Sequence, residues 1–257
     1  MTQTQLKLTF LGTGGSFGVP MLGCGCDVCS STNPYNKRLR TSATVEVNGH
    51  TLLIDASPDL RTQALQHAVE RVDAVLFTHD HADHIGGIDD LRAYNIRQQG
   101  KLVCYGDKRT LGAICSRFEY IFSSVPPTGS RPRLDLCAVE GPFELWGQEV
   151  IPLEVLHGEQ AITGYRIGPL AYITDASRLP EQTVEAVQGV QVLTLNALRH
   201  EPHPMHLSLD EAVETARRVG AQRTYLLHLG HELEHESTNR ILPEGIEMAY
   251  DGLVIEL

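Results

Sequence analysis

The segment His79-Asp80-His81-Ala82-Asp83-His84 brings three imidazoles and the Asp83 carboxylate into six residues, directly behind the apolar run Val72 to Thr78. Neutral imidazole and ionised carboxylate both offer lone pairs to a borderline cation such as Zn²⁺ or Mn²⁺. Residues two apart on an extended backbone point the same way, so His79 and His81 can converge on one ion. Asp83 and His84 follow after the chain has turned, which lets them face a second ion nearby. The chain holds 12 histidines, so an isolated His-x-His would carry little weight. Asp83, His84 and the Gly86-Gly87 pair, which lets a helix pack close behind the loop, turn the segment into a motif.

Three further residues, His157, Asp175 and His228, each follow a β-run directly, where the edge of a sheet would gather distant side chains into one cleft. Cysteine usage divides in two. Cys24, Cys26 and Cys29 crowd one loop and read as metal thiolates in a reducing compartment, the alternative being a reactive or buried thiol group. Cys104, Cys115 and Cys137 stand singly in apolar surroundings and are expected to be buried and inert.

The elements that must position these groups are short. Leu6 to Leu11 reads as a strand closed by Gly12-Thr13-Gly14-Gly15, a tight turn in preference to a phosphate cradle because no Lys-Ser/Thr follows it. Asn48-Gly49 between Thr41 to Val47 and Thr51 to Ile54 predicts a hairpin. Ser57-Pro58-Asp59 starts an expected helix running to Val69. Helices are also expected over Gly87 to Gln98 and Lys108 to Tyr120, with a strand at Leu102 to Tyr105, before Pro126-Pro127-Thr128-Gly129 breaks the chain. The second half predicts strands at Glu149 to Leu156, Val190 to Leu195 and Arg223 to Leu227. It also predicts hairpins at 164–174 and 248–257, and a helix to Val219 opened by the capping box Ser208-Leu209-Asp210-Glu211.

With 257 residues, 42% hydrophobic and 21% charged, the chain can bury a sizeable core. A net charge of −11 argues against broad binding to nucleic acid or an anionic membrane, while leaving an anionic substrate open where bound cations offset the charge. Neither a signal peptide nor an apolar run long enough to span a membrane is read, so the cytoplasm is the default location. A homodimer is a reasonable prior for assembly.

In the order and spacing of these residues the chain resembles the metallo-β-lactamase superfamily over nearly its whole length. The resemblance implies one domain over 1–257 with an αββα sandwich: two packed mixed sheets, helices on both outer faces, and metals at one sheet edge. It assigns His79, His81 and His157 to one ion, Asp83, His84 and His228 to a second, and Asp175 to a bridge between them. Asp55 matches an aspartate that orients the histidine loop from behind the metal ligands, the alternative being an ordinary turn residue. The Cys24-Gly25-Cys26-Asp27-Val28-Cys29 loop, following Gly12-Thr13-Gly14-Gly15 and Gly18-Val19-Pro20, resembles the phosphoribosyl cyclic phosphodiesterases of the carbon-phosphorus lyase pathway. There the triad and a late histidine, His231 in this chain, hold a structural zinc.

The activity implied is hydrolysis of a small phosphodiester, cyclic by resemblance, by hydroxide activated on two divalent ions, Mn²⁺ or Zn²⁺. Asp83 helps hold ions and nucleophile, and His206 is the matched proton donor for the leaving group, with a pKa expected near neutrality. His200 and His203 are its rivals in the same segment. The same centre could instead open a thioester or lactone, and a non-hydrolytic accessory role like that of pyrroloquinoline quinone biosynthesis protein B shares a similar Cys loop. No long insertion for grasping tRNA is read, so nucleic acid is not the expected substrate.

Overall fold

Alternation along short strands builds two sheets that share one core. In the computed structural model, which describes residues 6–125 and 129–257, Leu52 and Ile54 point to one side of their strand and Leu53 to the other. β1 (Leu6–Gly12), β2 (Ser42–Val47), β3 (His50–Ile54), β4 (Ala74–Leu76), β5 (Leu102–Gly106) and β6 (Leu134–Ala138) lie side by side, with β3 to β6 parallel. A second sheet holds β7 (Phe143–Leu145), β8 (Gln148–His157), β9 (Gln160–Ile167), β10 (Leu170–Tyr172), β11 (Val192–Asn196), β12 (Arg223–Leu227) and β13 (Ile246–Met248). In it β10 to β13 are parallel. β14 (Val254–Glu256) then returns to the first sheet, antiparallel to β1.

The sheets face each other across Leu8, Val45 and Ile54 from one and Tyr165, Val192 and Leu227 from the other. Helices cover both outer faces. The first sheet is covered by side chains from α2 (Leu60–Gln66), α3 (Ala82–Ile85), α4 (Arg92–Gln98), α5 (Lys108–Arg117) and α6 (Glu119–Phe122), following the single turn α1 (Asp27–Ser30) in the Cys loop. The second is covered by α7 (Glu181–Val187) and α8 (Leu209–Val219), which offers Leu209, Ala212, Ala216 and Val219 at helical spacing. Each such side chain, fully buried, contributes roughly 1.5–3 kcal/mol for the larger aliphatics. α9 (His235–Ile241) lies between β12 and β13 in sequence. The expected αββα class is the one observed. No helix among the described residues is long and apolar enough to cross a membrane.

Several local expectations change. The helix after Ser57 runs only from Leu60 to Gln66, because Asp59 spends its carboxylate on Arg40 instead of capping, and Ala68 takes a left-handed φ of 50°. The span 87–98 opens as a 3₁₀ turn, Ile88–Leu91, and the span 108–120 breaks at Phe118. The hairpin expected over 248–257 does not form: β13 and β14 belong to different sheets. Asp251, in the turn between them, accepts from Thr13 N and Oγ1 and from Leu39 N, tying the crossing to the first sheet's edge. Cys104 is buried as expected, whereas Cys115 and Cys137 are exposed, on the outward sides of α5 and β6. Of the Pro126 to Gly129 break, residues 126–128 lie outside the described residues.

Glycines close the sheet edge that faces the site. Gly14 pairs with Arg40 at the end of the first sheet and with Leu229 at the end of the second, so the Gly12 to Gly15 segment stitches the two together. A Cβ on Gly87 would sit 2.0 Å from the Ser57 carbonyl oxygen, which is why the chain behind the histidine loop needs glycine there.

Candidate metal centre

The candidate ligands leave from strand ends of both sheets that open toward one cleft. β4 delivers Thr78 and His79, β8 ends at His157, Asp175 follows shortly after β10, and β12 runs into His228. Asp55, Asp175 and His228 all adopt left-handed backbone, with φ of 60°, 58° and 54°. Such a turn swings the side chain off the strand direction and into the cleft, at a cost of about 1 kcal/mol or more each.

Two donor groups result. The ring nitrogens of His79, His81 and His157 lie within 4.8 Å of one another, and so do the donor atoms of Asp83, His84, Asp175 and His228. α3 begins immediately after His81, which is the turn that separates the first pair of the motif from the second. Asp175 faces both groups. Its Oδ1 is 3.4 Å from His84 Nε2 and 3.1 Å from His228 Nδ1, and its Oδ2 is 3.9 Å from His79 Nε2.

Neighbouring groups fix how each ring is turned. Asp55, fully buried, accepts from Thr78 N at 2.8 Å, Thr78 Oγ1 at 2.7 Å and His84 Nδ1 at 2.7 Å, contacts that tie both ends of the histidine loop to the end of β3. His157 donates from Nδ1 to the Asp175 carbonyl oxygen at 2.7 Å, leaving Nε2 for the centre. Thr78 Oγ1 meets His79 Nδ1 at 3.0 Å, and Thr41 Oγ1 meets His228 Nδ1 at 3.2 Å. Asp80 is gripped from α5 by Arg109 at 3.1 Å and Arg117 at 2.9 Å, and Arg117 also donates to the Asp80 carbonyl oxygen, fixing the backbone between His79 and His81. The Thr41, Thr78 and Arg contacts had no sequence signal beyond a threonine beside a histidine and an extra acid inside the motif.

The electrostatics suit a cation. Burial alone would raise the carboxyls of Asp83 and Asp175, yet His84 beside the first, and His228 and His84 beside the second, hold both well below the carboxylate range. Burial would lower His84, but Asp175, Asp83 and Asp55 raise it well above the usual imidazole value, so a proton on His84 offsets charge that a metal ion would offset. Burial and the charge of His84 push His79 well down, and burial lowers His228. His79 Nε2, His84 Nε2 and His228 Nε2 are buried without a hydrogen-bond partner. Buried nitrogens so rarely go unsatisfied that these, beside ionised carboxylates, fit divalent ions.

His206 reaches this centre and its rivals do not. Its ring is 4.8 Å from that of His157 and 4.9 Å from that of His228, and its Nδ1, buried and unpartnered, is 3.8 Å from Asp175 Oδ2. Donor atoms of His157, Asp175 and His206 also fall within 4.8 Å of one another. His203 stands beside it, rings 5.2 Å apart, and His200 is exposed. The expected near-neutral pKa is not found: burial first, then the charge of His228, push His206 down to about 3, so its imidazole is neutral at pH 7 before substrate arrives.

The Cys loop forms a second, separate cluster. Cys24, Cys26, Cys29 and His231 gather within 4.8 Å, with Cys24 Sγ and Cys26 Sγ at 3.4 Å and 3.3 Å from His231 Nδ1. A tetrahedral zinc with ordinary Zn–S and Zn–N bonds sets those atoms about 3.5 Å apart. The hydrogen bond from Cys29 N, with His231 second, lowers Cys26 to about 6, while burial raises Cys29 to about 11. Arg38, almost wholly buried, donates to the carbonyl oxygens of Gly230 and Leu233 on either side of His231, a support the sequence did not reveal.

Residues 50–229 match the family model described as a beta-lactamase superfamily domain. A solved structure described as a new diphosphatase from the PhnP family aligns with a TM-score of 0.93 and 42% identity, covering 98% of this chain and 97% of that one. The zinc-bound PqqB structure from Methylobacterium extorquens aligns with a TM-score of 0.80 at 20% identity, covering 98% and 100%, and shares the fold. A Porphyromonas gingivalis protein named octanoyltransferase is 39% identical over 253 residues, covering 96% of this chain and 51% of that protein, so the chain spans about half that relative's length. Fold, donor groups and family match agree that the chain belongs to the beta-lactamase superfamily, with the metallo-β-lactamase fold and a similarity to the PhnP family.

Proposed function

We propose that the chain, acting as one hydrolase domain over residues 1–257, is a binuclear metal-dependent phosphodiesterase, a cytoplasmic protein acting on a small, cyclic phosphodiester. The observation that carries this reading is Asp175, whose two carboxylate oxygens face the two donor groups separately. His79, His81 and His157 would hold one ion, Asp83, His84 and His228 the other, and Asp175 both. Two divalent ions, Mn²⁺ or Zn²⁺, supply Lewis acidity toward phosphate oxygens and lower the pKa of water to near neutrality. Cys24, Cys26, Cys29 and His231 would hold a structural zinc.

The chain's own residues do the rest. Asp83 and Asp175, held ionised by the neighbouring histidines, would keep the ions and the nucleophile in place. His206 keeps Nδ1 free at the edge of the centre, and a phosphate's negative charge beside it favours the protonated imidazole that can hand a proton to the leaving oxygen. His79 and His84 are already turned by Thr78 and by Asp55 with the carboxylates, which leaves His206 the better placed donor.

A second reading is favoured by the PhnP-family diphosphatase: the scissile bond is a diphosphate linkage, whose phosphorus also carries a displaceable oxygen. Protein loaded with Mn²⁺ or Zn²⁺ and offered a chromogenic phosphodiester, a diphosphate, a thioester and a lactone tests both. Turnover of either phosphorus substrate, abolished by Asp83→Ala, is expected. Turnover of the thioester or lactone alone would overturn the proposal, and inactivity of fully metallated protein on all four would favour an accessory role.

A further inference from the structure

A cavity of about 140 Å³ opens between the metal centre and the Cys loop, with Phe17, Met21, Leu198, Arg199, His203 and Glu232 on its walls. It adjoins the centre directly: a Cβ on Gly15, also on the wall, would lie 3.4 Å from the His228 ring, and His203 is the neighbour of His206. Its volume is close to the roughly 150 Å³ that accommodates one benzene ring in a protein interior. Phe17 is 72% exposed and stacks on no other ring among the described residues. Arg199 spends Nε and Nη2 on the carbonyl oxygens of Glu201 and Pro202 and has no carboxylate within ion-pair distance among the described residues, so its charge is uncompensated in a chain of net charge −11. Glu232 is drawn toward His231, 3.9 Å from its Nε2.

We infer that this cavity is a subsite for one ring-sized group of the substrate, stacked on Phe17, with a negatively charged substituent of that ring taken by Arg199. The inference rests on the reading of the centre as one that binds a phosphorus oxyanion. A small, flat, anionic leaving group then joins the phosphate to a place prepared for it, and substrates without a ring forgo that contact. The selectivity sits in binding, so it appears in affinity and not in the chemical step.

Calorimetric titration of the metal-loaded protein with methylphosphonate, phenylphosphonate and 4-carboxyphenylphosphonate tests this without any turnover. Phenylphosphonate is expected to bind about tenfold more tightly than methylphosphonate, and the carboxylated ring more tightly still. Phe17→Ala should bring the phenyl and methyl compounds to within twofold, and Arg199→Met should erase only the gain from the carboxylate, both variants retaining full metal content. Equal affinity for phenyl and methyl in the unaltered protein, or a ring preference that survives Phe17→Ala, overturns the subsite alone. Failure of every phosphonate to bind overturns the phosphate reading of the centre and the subsite with it.

Discussion

His228 and His231 are three residues apart, yet they serve clusters of opposite character. The first belongs to a centre of imidazoles and carboxylates, nearly all buried, with several nitrogens unpartnered and Asp175 shared between two groups. The second belongs to three thiols and one imidazole gathered within 4.8 Å of one another, only partly buried. Under the proposed reading, three soft thiolates and an imidazole would close a metal's coordination and leave no position for substrate, whereas the harder donors, shared between two ions, would leave one. On that reading one turn of chain joins a place for chemistry to a fastener, and Arg38, donating to the carbonyl oxygens of Gly230 and Leu233, braces the segment that carries His231.

That division can be broken experimentally. Asp175→Ala should reduce turnover to background and remove the two ions of the histidine centre while sparing the thiolate-bound one, as elemental analysis would show. His206→Ala should lower kcat by about 10²- to 10³-fold with metal content unchanged; a parallel loss of metal would make it a ligand instead of a proton donor. Asp80→Asn, which weakens the grip of Arg109 and Arg117, should cost about 10- to 100-fold in affinity at the His79 ion, measured by chelator competition, with the Cys cluster unaffected. Cys26→Ser should release one ion and lower Tm while leaving kcat within a few-fold. Abolition of turnover with two ions retained would erase the distinction between the clusters.

The smallest effect concerns pH. His235, on α9 beyond the Cys cluster, accepts from Asn239 Nδ2 at 3.1 Å, and burial, then the charge of Arg38, lower it to about 4. A folded pKa below the unfolded value of about 6.5 means that this contribution to stability is complete above pH 6.5 and is lost as pH falls toward 4. Melting curves across that window should show a shallower decline for His235→Gln than for the unaltered chain.

The parts legible in sequence were those in which neighbours along the chain are neighbours in space. The histidine motif, the Asn48-Gly49 hairpin and the Ser208 capping box each carry their physics within a few residues, and all three appear in the structure. His157, Asp175 and His228 were legible because strand ends share an edge. Thr41, Arg117 and Arg38 were not, since each acts on a partner 37 or more residues away and resembles any surface residue in isolation. The apparent hairpin at 248–257 failed for a related reason: its turn is local, but the buried Asp251 carboxylate draws the chain across to the other sheet. The lowered pKa of His206 was not legible because its burial, the main cause, and the histidines packed around it both depend on the fold.

The left-handed backbone at Asp55, Asp175 and His228 bears on how the protein opens. Three strained exits, one from the first sheet and two from the second, are held by the side chains they present, and bound ions would tie two of those side chains directly. Stripping the metals should therefore let amide hydrogens just beyond β3, β10 and β12 exchange earlier than those of α8, with the sheets themselves still closed. Local unfolding would then begin where ligand binding ends, and metal loading would be visible as protection of the strand exits.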